Sequence, residues 1–417
     1  MDLPNHWLLL ALLVGVNVLC QDDDDYESTY PEYEVPLHLP PPLYLDSYAS
    51  YPQTCAPECF CPPFYPFAMY CNNRKLKAVP NIPGHIRHLY IQFNDIEALA
   101  AEAFANATSL TDINFSHNSL KSSLVDRKAL AKLKSLLQLH LEYNDLEEVP
   151  SSLPKSLQRL FLSFNKISKL SADAMQGLIS VTVLDLCNNK LTDAGIKGKV
   201  LSGMKSLMQI NMCGNRLKSM PSELPESVVQ LSLENNSISS IPEGYFKKTP
   251  NLMSLRVTYN KLKAVPDKVF NLSSLIELNL GHNQLSKAFF IPRALEHLYL
   301  NDNEFLNLNV SLMCPSLDQV NPNLLNYIRI DNNRLKRPVD YYLYACFPRI
   351  RIIFYGEQKP EQPEQKPEQK PEQKPEQKPE QKPEKKPEKK PEKPAKKPAK
   401  KPPTTTKKRQ PPAKGKQ

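Results

Sequence analysis

The residues of this chain best placed to do chemistry are its cysteines, and the chemistry is oxidation to disulfides. One of the nine, Cys20, falls at the end of an N-terminal apolar stretch; the other eight form groups, Cys55, Cys59, Cys61 and Cys71, then Cys187 and Cys213, then Cys314 and Cys346. An even number of grouped cysteines fits an oxidising compartment. Zinc is the competing chemistry for the first four, but the spacing C-x3-C-x-C-x9-C contains no CxxC pair and no metal-type histidine pattern nearby. Disulfides are therefore expected there, with the pairing open. Cys187 and Cys213 follow corresponding template positions of adjacent repeats, and adjacent strands lie about 4.8 Å apart, within reach of a bridge. Two free thiols are the alternative.

Catalytic chemistry finds no foothold. The eight histidines are scattered (His6, His38, His85, His88, His117, His140, His282, His297), and the sequence has no HExxH, phosphate-binding loop, dinucleotide fingerprint or GxSxG. No catalytic residue, metal ligand or cofactor is expected. Two kinds of covalent modification are expected instead. Five N-x-S/T sequons, at Asn106, Asn114, Asn235, Asn271 and Asn309, are candidate glycan acceptors in an exported chain. Tyr26, Tyr30 and Tyr33, set among acids, are candidates for sulfation, Tyr26 above all because four aspartates precede it.

The elements that must position these residues are repeats. The template L-x-x-L-x-L-x-x-N-x-L matches eleven times, with its asparagine at 94, 118, 144, 165, 189, 215, 236, 260, 283, 303 and 333. Each repeat supplies a short strand whose template residues face a shared core, and stacked strands make a curved parallel sheet. The expected fold is an α/β-type leucine-rich-repeat solenoid. Its parallel sheet lines the concave face, irregular or short 3-10 turns form the convex face, and disulfides cap both ends. The asparagine is structural, satisfying backbone groups of the turns. Between Asn303 and Asn333 the gap widens to 30 residues and holds Cys314; a bridge to Cys346 would pin that long loop, worth about 3 to 4 kcal/mol in the chain-entropy model.

Along the chain, residues 1–20 read as a secretory signal peptide, its apolar run being shorter than the roughly 18 residues a membrane span needs. No membrane insertion is expected. Residues 21–54 carry eight acids and no Lys or Arg, an extension unable to bury enough surface to fold. The cysteine cap covers 55–75, repeats run over 76–311, and 312–355 holds the long penultimate repeat, the last repeat and the C-terminal cap. From 356 to 417 a Lys/Pro/Glu/Gln array carries 20 Lys and Arg against 10 Glu. Such a tail is extended and solvated, and its Lys-dense end suits sulfated glycosaminoglycan. Export and paired cysteines argue against nucleic acid as its partner.

Strand positions between template residues face outward on the concave sheet. They include His140, Glu142, Arg159, Phe161, Gln209, Asn211, Arg256, Glu277, His297 and Tyr299, with Ser163 beside them. This mixture of polar and aromatic groups suits recognition of a macromolecule.

The four-cysteine cap, the 21/24/26-residue rhythm, the long penultimate repeat with its cysteine pair and the tyrosine-rich acidic N-terminus together resemble the small leucine-rich proteoglycans, in the keratocan, lumican and fibromodulin branch. The stretches MYCNNRKLKAVPNIP and LDLCNNKL carry that likeness. The resemblance implies a secreted extracellular-matrix protein of bone or other mineralised tissue that binds fibrillar collagen. It also implies keratan sulfate on sequon asparagines, sulfated N-terminal tyrosines and attachment of cells through an integrin or other receptor, although the chain has no RGD. An acidic tail suited to mineral is absent here, replaced by Lys-Pro. The competing function is an extracellular regulator that sequesters growth factors or engages a cell-surface receptor.

Overall fold

The structure, a computed structural model, describes residues 54–175, 177–336 and 340–360. The expected signal peptide, the acidic extension with Tyr26, Tyr30 and Tyr33, and all but the first residues of the basic tail lie outside them.

Within them the chain winds into a single 13-stranded parallel sheet whose strands follow in chain order. The strands are β1 (Ala68–Tyr70), β2 (His88–Tyr90), β3 (Asp112–Asn114), β4 (Gln138–His140), β5 (Arg159–Phe161), β6 (Val183–Asp185) and β7 (Gln209–Asn211). Then come β8 (Gln230–Ser232), β9 (Ser254–Arg256), β10 (Glu277–Asn279), β11 (His297–Tyr299), β12 (Tyr327–Arg329) and β13 (Ile352–Phe354). The eleven template matches supply β2 to β12. Each of these strands has three residues because each turn has only one apolar residue, flanked by two polar or mixed ones, to lay against the core. That central residue (Leu89, Leu139, Leu184, Leu255, Leu298) is buried in every repeat.

The side opposite the sheet is made of turns and short helices, as expected. Single 3-10 turns occur at Ala101–Phe104, Ser122–Leu124 and Tyr245–Lys248, with α1 (Ala172–Met175), α2 (Val310–Met313) and α3 (Tyr342–Cys346). Phenylalanines fill the wider space there: Phe246, Phe270 and Phe289 are buried in sequence, with ring centroids 6.0 and 5.2 Å apart.

The ladder asparagines hold the turns together. Asn303, fully buried, accepts a hydrogen bond from the Leu285 N–H of the preceding turn at 2.9 Å. Its Nδ2 donates to the carbonyls of Leu280, Leu300 and Asn301 at 3.0, 3.2 and 3.1 Å. The same pattern recurs from Asn94 to Asn333. To aim this side chain inward, the preceding residue adopts left-handed backbone in every repeat, even where it is Phe93, Tyr143, Phe164 or Tyr259 (φ 58°, 53°, 54° and 53°). Bulky residues resist that region by about 1 to 2 kcal/mol, so the ladder bonds offset a cost at each turn. These residues stack in turn: Phe93, His117, Tyr143 and Phe164 form a continuous pile with centroids 4.4, 4.2 and 4.2 Å apart.

The two ends differ. At the N-terminus Cys55 bridges Cys61 and Cys59 bridges Cys71. The cap also folds Phe60 back antiparallel to Tyr70, each N–H donating to the other's carbonyl at 2.8 Å. The Cys187–Cys213 bridge forms, with Cα atoms 4.5 Å apart. The expected Cys314–Cys346 bridge is not present: both are buried thiols. Each thiol has a carbonyl acceptor instead, Cys314 on Ser316 at 3.6 Å and Cys346 on Cys314 at 3.7 Å. Burial, together with the adjacent Cys314, pushes the Cys346 thiol up to about 12. Packing of α2 against α3 holds the long penultimate loop to the end of the solenoid.

Candidate binding face

Residues flanking each central strand residue project from the outer face of the sheet, and parallel pairing in register lines them up across turns. Gln138 faces Arg159 and His140 faces Phe161; Gln209 lies between Val183 and Gln230, and Arg256 faces Asn279. Every expected face residue therefore lies on one surface, but not equally open to solvent. His140, Glu142, Phe161, Asn211, Arg256, Glu277, His297 and Tyr299 are half-buried and Arg159 is exposed, whereas Gln209 is 9% exposed and Ser163 4%. Neighbouring side chains roof over Gln209 and Ser163, which corrects the expectation that both are accessible.

Three clusters make up the face. In the first, His140 Nδ1 lies 2.8 Å from Glu142 Oε1 and its Nε2 2.8 Å from Gln138 Nε2, while its ring stacks on Phe161 at 4.4 Å. Glu142 Oε2 is buried with no hydrogen-bond partner. Beside this group lies Asp185, 2% exposed, which no sequence argument singled out. Burial pushes its carboxyl up to about 6, against the bond its Oδ1 accepts from the Cys187 N–H at 3.0 Å. Its signal in the sequence was an acid in a strand whose other flank, Val183, is apolar.

In the second cluster Arg256 grips Glu277 bidentately, at 3.0 and 3.2 Å, and Ser254 donates to the same carboxylate at 2.9 Å. Glu234 stands by, its carboxyl raised by burial while Arg256 opposes the rise. The third cluster is aromatic: Tyr299 and His297 approach Tyr327 at 5.2 and 6.3 Å, and Arg329 both pairs with Asp331 at 2.8 Å and lies over Phe354. At the opposite end Tyr70 stacks on Tyr90, and His88 pairs with Asp112 at 3.1 Å.

Several charges on this face are paired locally, His140 with Glu142, Arg256 with Glu277 and Arg329 with Asp331. Among the described residues no three His, Cys, Asp or Glu side chains converge as metal ligands, and no helix is long and apolar enough to cross a membrane. The arrangement can offer hydrogen bonds, ring faces and buried acceptors over a long surface, which is a recognition chemistry. The five sequons reach the surface: Asn106, Asn235, Asn271 and Asn309 are exposed and Asn114, on β3, is half-buried. Asn114 Oδ1 accepts from Ser116 N–H at 2.9 Å, and Asn309 caps α2 through Leu312 N–H at 3.2 Å.

The repeat surface matches the leucine-rich-repeat family model over residues 84–146, 155–221, 226–285 and 250–305. The chain belongs to that family and, within it, to the small leucine-rich proteoglycans. It is 52% identical to osteomodulin of Bos taurus over 369 residues, covering 84% of this chain and 85% of that protein. To keratocan of Homo sapiens it is 42% identical over 310 residues, covering 72% and 88%. Among solved structures, a complex of Latrophilin 3, Unc5D and the leucine-rich-repeat domain of FLRT2 superimposes with TM-score 0.58 at 25% identity, over 72% of this chain and 83% of that one. These proteoglycan homologues are secreted proteins of the extracellular matrix and are structural, not enzymes.

Proposed function

We propose that this chain is a secreted matrix protein that binds fibrillar collagen across the outer face of its sheet and so organises matrix, in bone or another mineralised tissue. The observation that carries this is the continuous face itself, with His140 and Phe161 stacked, Glu142 Oε2 buried without a donor, and Arg159 exposed alongside. A long partner that sets side-chain hydrogen-bond donors among prolyl rings would satisfy both the orphan acceptor and the aromatic surface. Family membership supports the same reading. Glycans on Asn106, Asn114, Asn235, Asn271 and Asn309, sulfate on Tyr26, Tyr30 and Tyr33, and glycosaminoglycan held by the basic tail surround this core activity. Contact with an integrin or other cell receptor would use surface that collagen leaves open.

The test is solid-phase binding of the full-length secreted protein to immobilised collagen fibrils. Saturable binding is expected, and Arg159→Glu with Phe161→Ala should weaken it by about tenfold or more, since central aromatic and Arg anchors dominate such interfaces. Absence of saturable binding would sink the proposal. Unchanged binding by the double variant would move the contact off β5.

A further inference from the structure

Of the five sequon asparagines, Asn114 alone lies within a strand, and its neighbours on the outer face are rings. In register across the sheet, Tyr70 lies beside Tyr90, Tyr90 beside Asn114, Asn114 beside His140, and His140 beside Phe161. The rings stack in pairs on either side of the asparagine. Tyr70 and Tyr90 have centroids 4.8 Å apart with planes at 16°, and His140 and Phe161 4.4 Å apart at 10°.

Rings stacked in this way stand across the row and turn their faces to their neighbours along it. Tyr70 covers one face of Tyr90, and Phe161 covers one face of His140; the opposite faces look toward Asn114. Because Asn114 is one strand spacing from each, those faces are about 9 to 10 Å apart, twice that spacing. The gap has the width of one more ring. An asparagine amide is shorter than the rings around it, and here it folds back on its own turn, Oδ1 accepting from the Ser116 N–H at 2.9 Å and from its Oγ at 2.7 Å. Both bonds use the oxygen and neither uses Nδ2, the atom to which sugar is joined. The residue is half-buried, so its slot opens to solvent.

We propose that the first N-acetylglucosamine of a glycan on Asn114 is clamped between Tyr90 and His140 and continues the ring row. The inference rests on the reading of Asn114 as a glycan acceptor. A β-linked N-acetylglucosamine carries its substituents equatorially, so both faces of its ring present axial C–H groups. These bear slight positive charge and suit the negative faces of aromatic rings. The clamp holds the glycan upright on the outer face, over β2, β3 and the near side of His140. A partner then reaches Glu142 and Phe161 from the β5 side, where Arg159 is exposed.

The test uses the full-length secreted protein with isotope-labelled glycans trimmed enzymatically to one N-acetylglucosamine at each occupied sequon, read by nuclear magnetic resonance. The Asn114 signals are those lost in Ser116→Ala, which removes the sequon. Their ring protons should be displaced upfield, by aromatic ring currents, from those of the sugars on the other sequons. Tyr90→Ala and His140→Ala should each reduce the displacement and together abolish it, while Tyr90→Phe, which keeps the ring, should preserve it. Amidase release of the untrimmed glycan from the folded protein should be slow at Asn114, and the double alanine variant should speed it by about tenfold, as loss of two ring contacts would. Glycopeptide masses that show Asn114 unoccupied overturn the sequon reading and the clamp together. An occupied Asn114 whose sugar protons coincide with those of the other sequons, or a displacement that survives the double variant, overturns the clamp alone.

Discussion

Replacing Asn303 by alanine should separate what the asparagine ladder contributes from what packing contributes. Asn303 is fully buried and makes four hydrogen bonds. The three carbonyls it serves keep another donor: Leu280 from Asn283, Leu300 from Asn333, and Asn301 from the His282 N–H. The Leu285 N–H keeps none and is sealed from water. An orphaned buried N–H costs about 1 to 3 kcal/mol, and three lost bonds to carbonyls that remain paired add about 0.5 kcal/mol each. The sum is about 2.5 to 4.5 kcal/mol. With about 2.1 cal/mol/K of unfolding entropy per residue over roughly 300 folded residues, that lowers the melting temperature by about 4 to 7 °C. Asn118 makes the same set of bonds from a half-buried position. Water can replace its bonds, and alanine there should cost about 1 to 2 kcal/mol, or about 2 to 3 °C. Asn303→Asp keeps the acceptor for Leu285 but points a buried carboxylate at three carbonyl oxygens, and should be worse than alanine at neutral pH. Thermal melts of the secreted protein followed by circular dichroism read all three. Equal shifts for Asn303→Ala and Asn118→Ala, or an aspartate milder than alanine, would refute the reasoning.

Asp185→Asn should stabilise the protein at neutral pH. The folded carboxyl titrates at about 6 against an ordinary 3.8, so its contribution is fully present below about pH 3.8 and is lost as pH rises through 6. That displacement corresponds to about 3 kcal/mol, and asparagine retains the acceptor for the Cys187 N–H. Denaturation midpoints between pH 4 and 7.5 should show the gain shrinking toward acid, and a pH-independent gain would assign it to another cause. For the C-terminal pair, thiol titration should find two thiols per chain in denaturant and a negligible rate in the folded protein, where burial holds Cys346 up near 12; finding no thiol in denaturant would mean that Cys314 and Cys346 are bridged. At Tyr143, glycine should cost about 1 kcal/mol less than alanine. Both remove the stack on His117 and Phe164, but only glycine accepts a φ of 53° without strain. Unfolding free energies that rank alanine as the milder change would put the strain elsewhere.

How much of this was legible in the sequence follows from what a repeat constrains. The template fixes which residue of each strand faces the core and where the ladder asparagine falls, so eleven strands, their order and their register could be read from spacing alone. The bridge between Cys187 and Cys213 followed for the same reason: equivalent positions in adjacent turns must lie one strand apart. The cysteines at the C-terminus have no such repeat to place them. Cys314 ends α2 in the enlarged loop and Cys346 ends α3 beyond the last repeat, and whether two such sulfurs meet depends on packing that no period encodes.

The outer face shows where spacing alone stops. A template assigns each intervening residue to the outside of the sheet, but outside is not the same as exposed. Side chains on adjacent strands stand close enough to cover one another, and long ones win: Phe161, which stacks on His140, sits in register beside Asp185, and Gln209 lies between Val183 and Gln230. Asp185 is consequently at once on the outer face of the sheet and 2% exposed, with its carboxyl raised. The unpaired Oε2 of Glu142 has the same origin, since His140 occupies its other oxygen and neighbours exclude water. A partner that presented a hydrogen-bond donor between His140 and Asp185 would satisfy an acceptor that the free protein leaves unpaired. That gives binding something to gain at this cluster, as it does at Gln92 Oε1, left unpaired at the corresponding position of the β2 turn, and it arises from cross-strand crowding that is read only in the folded sheet.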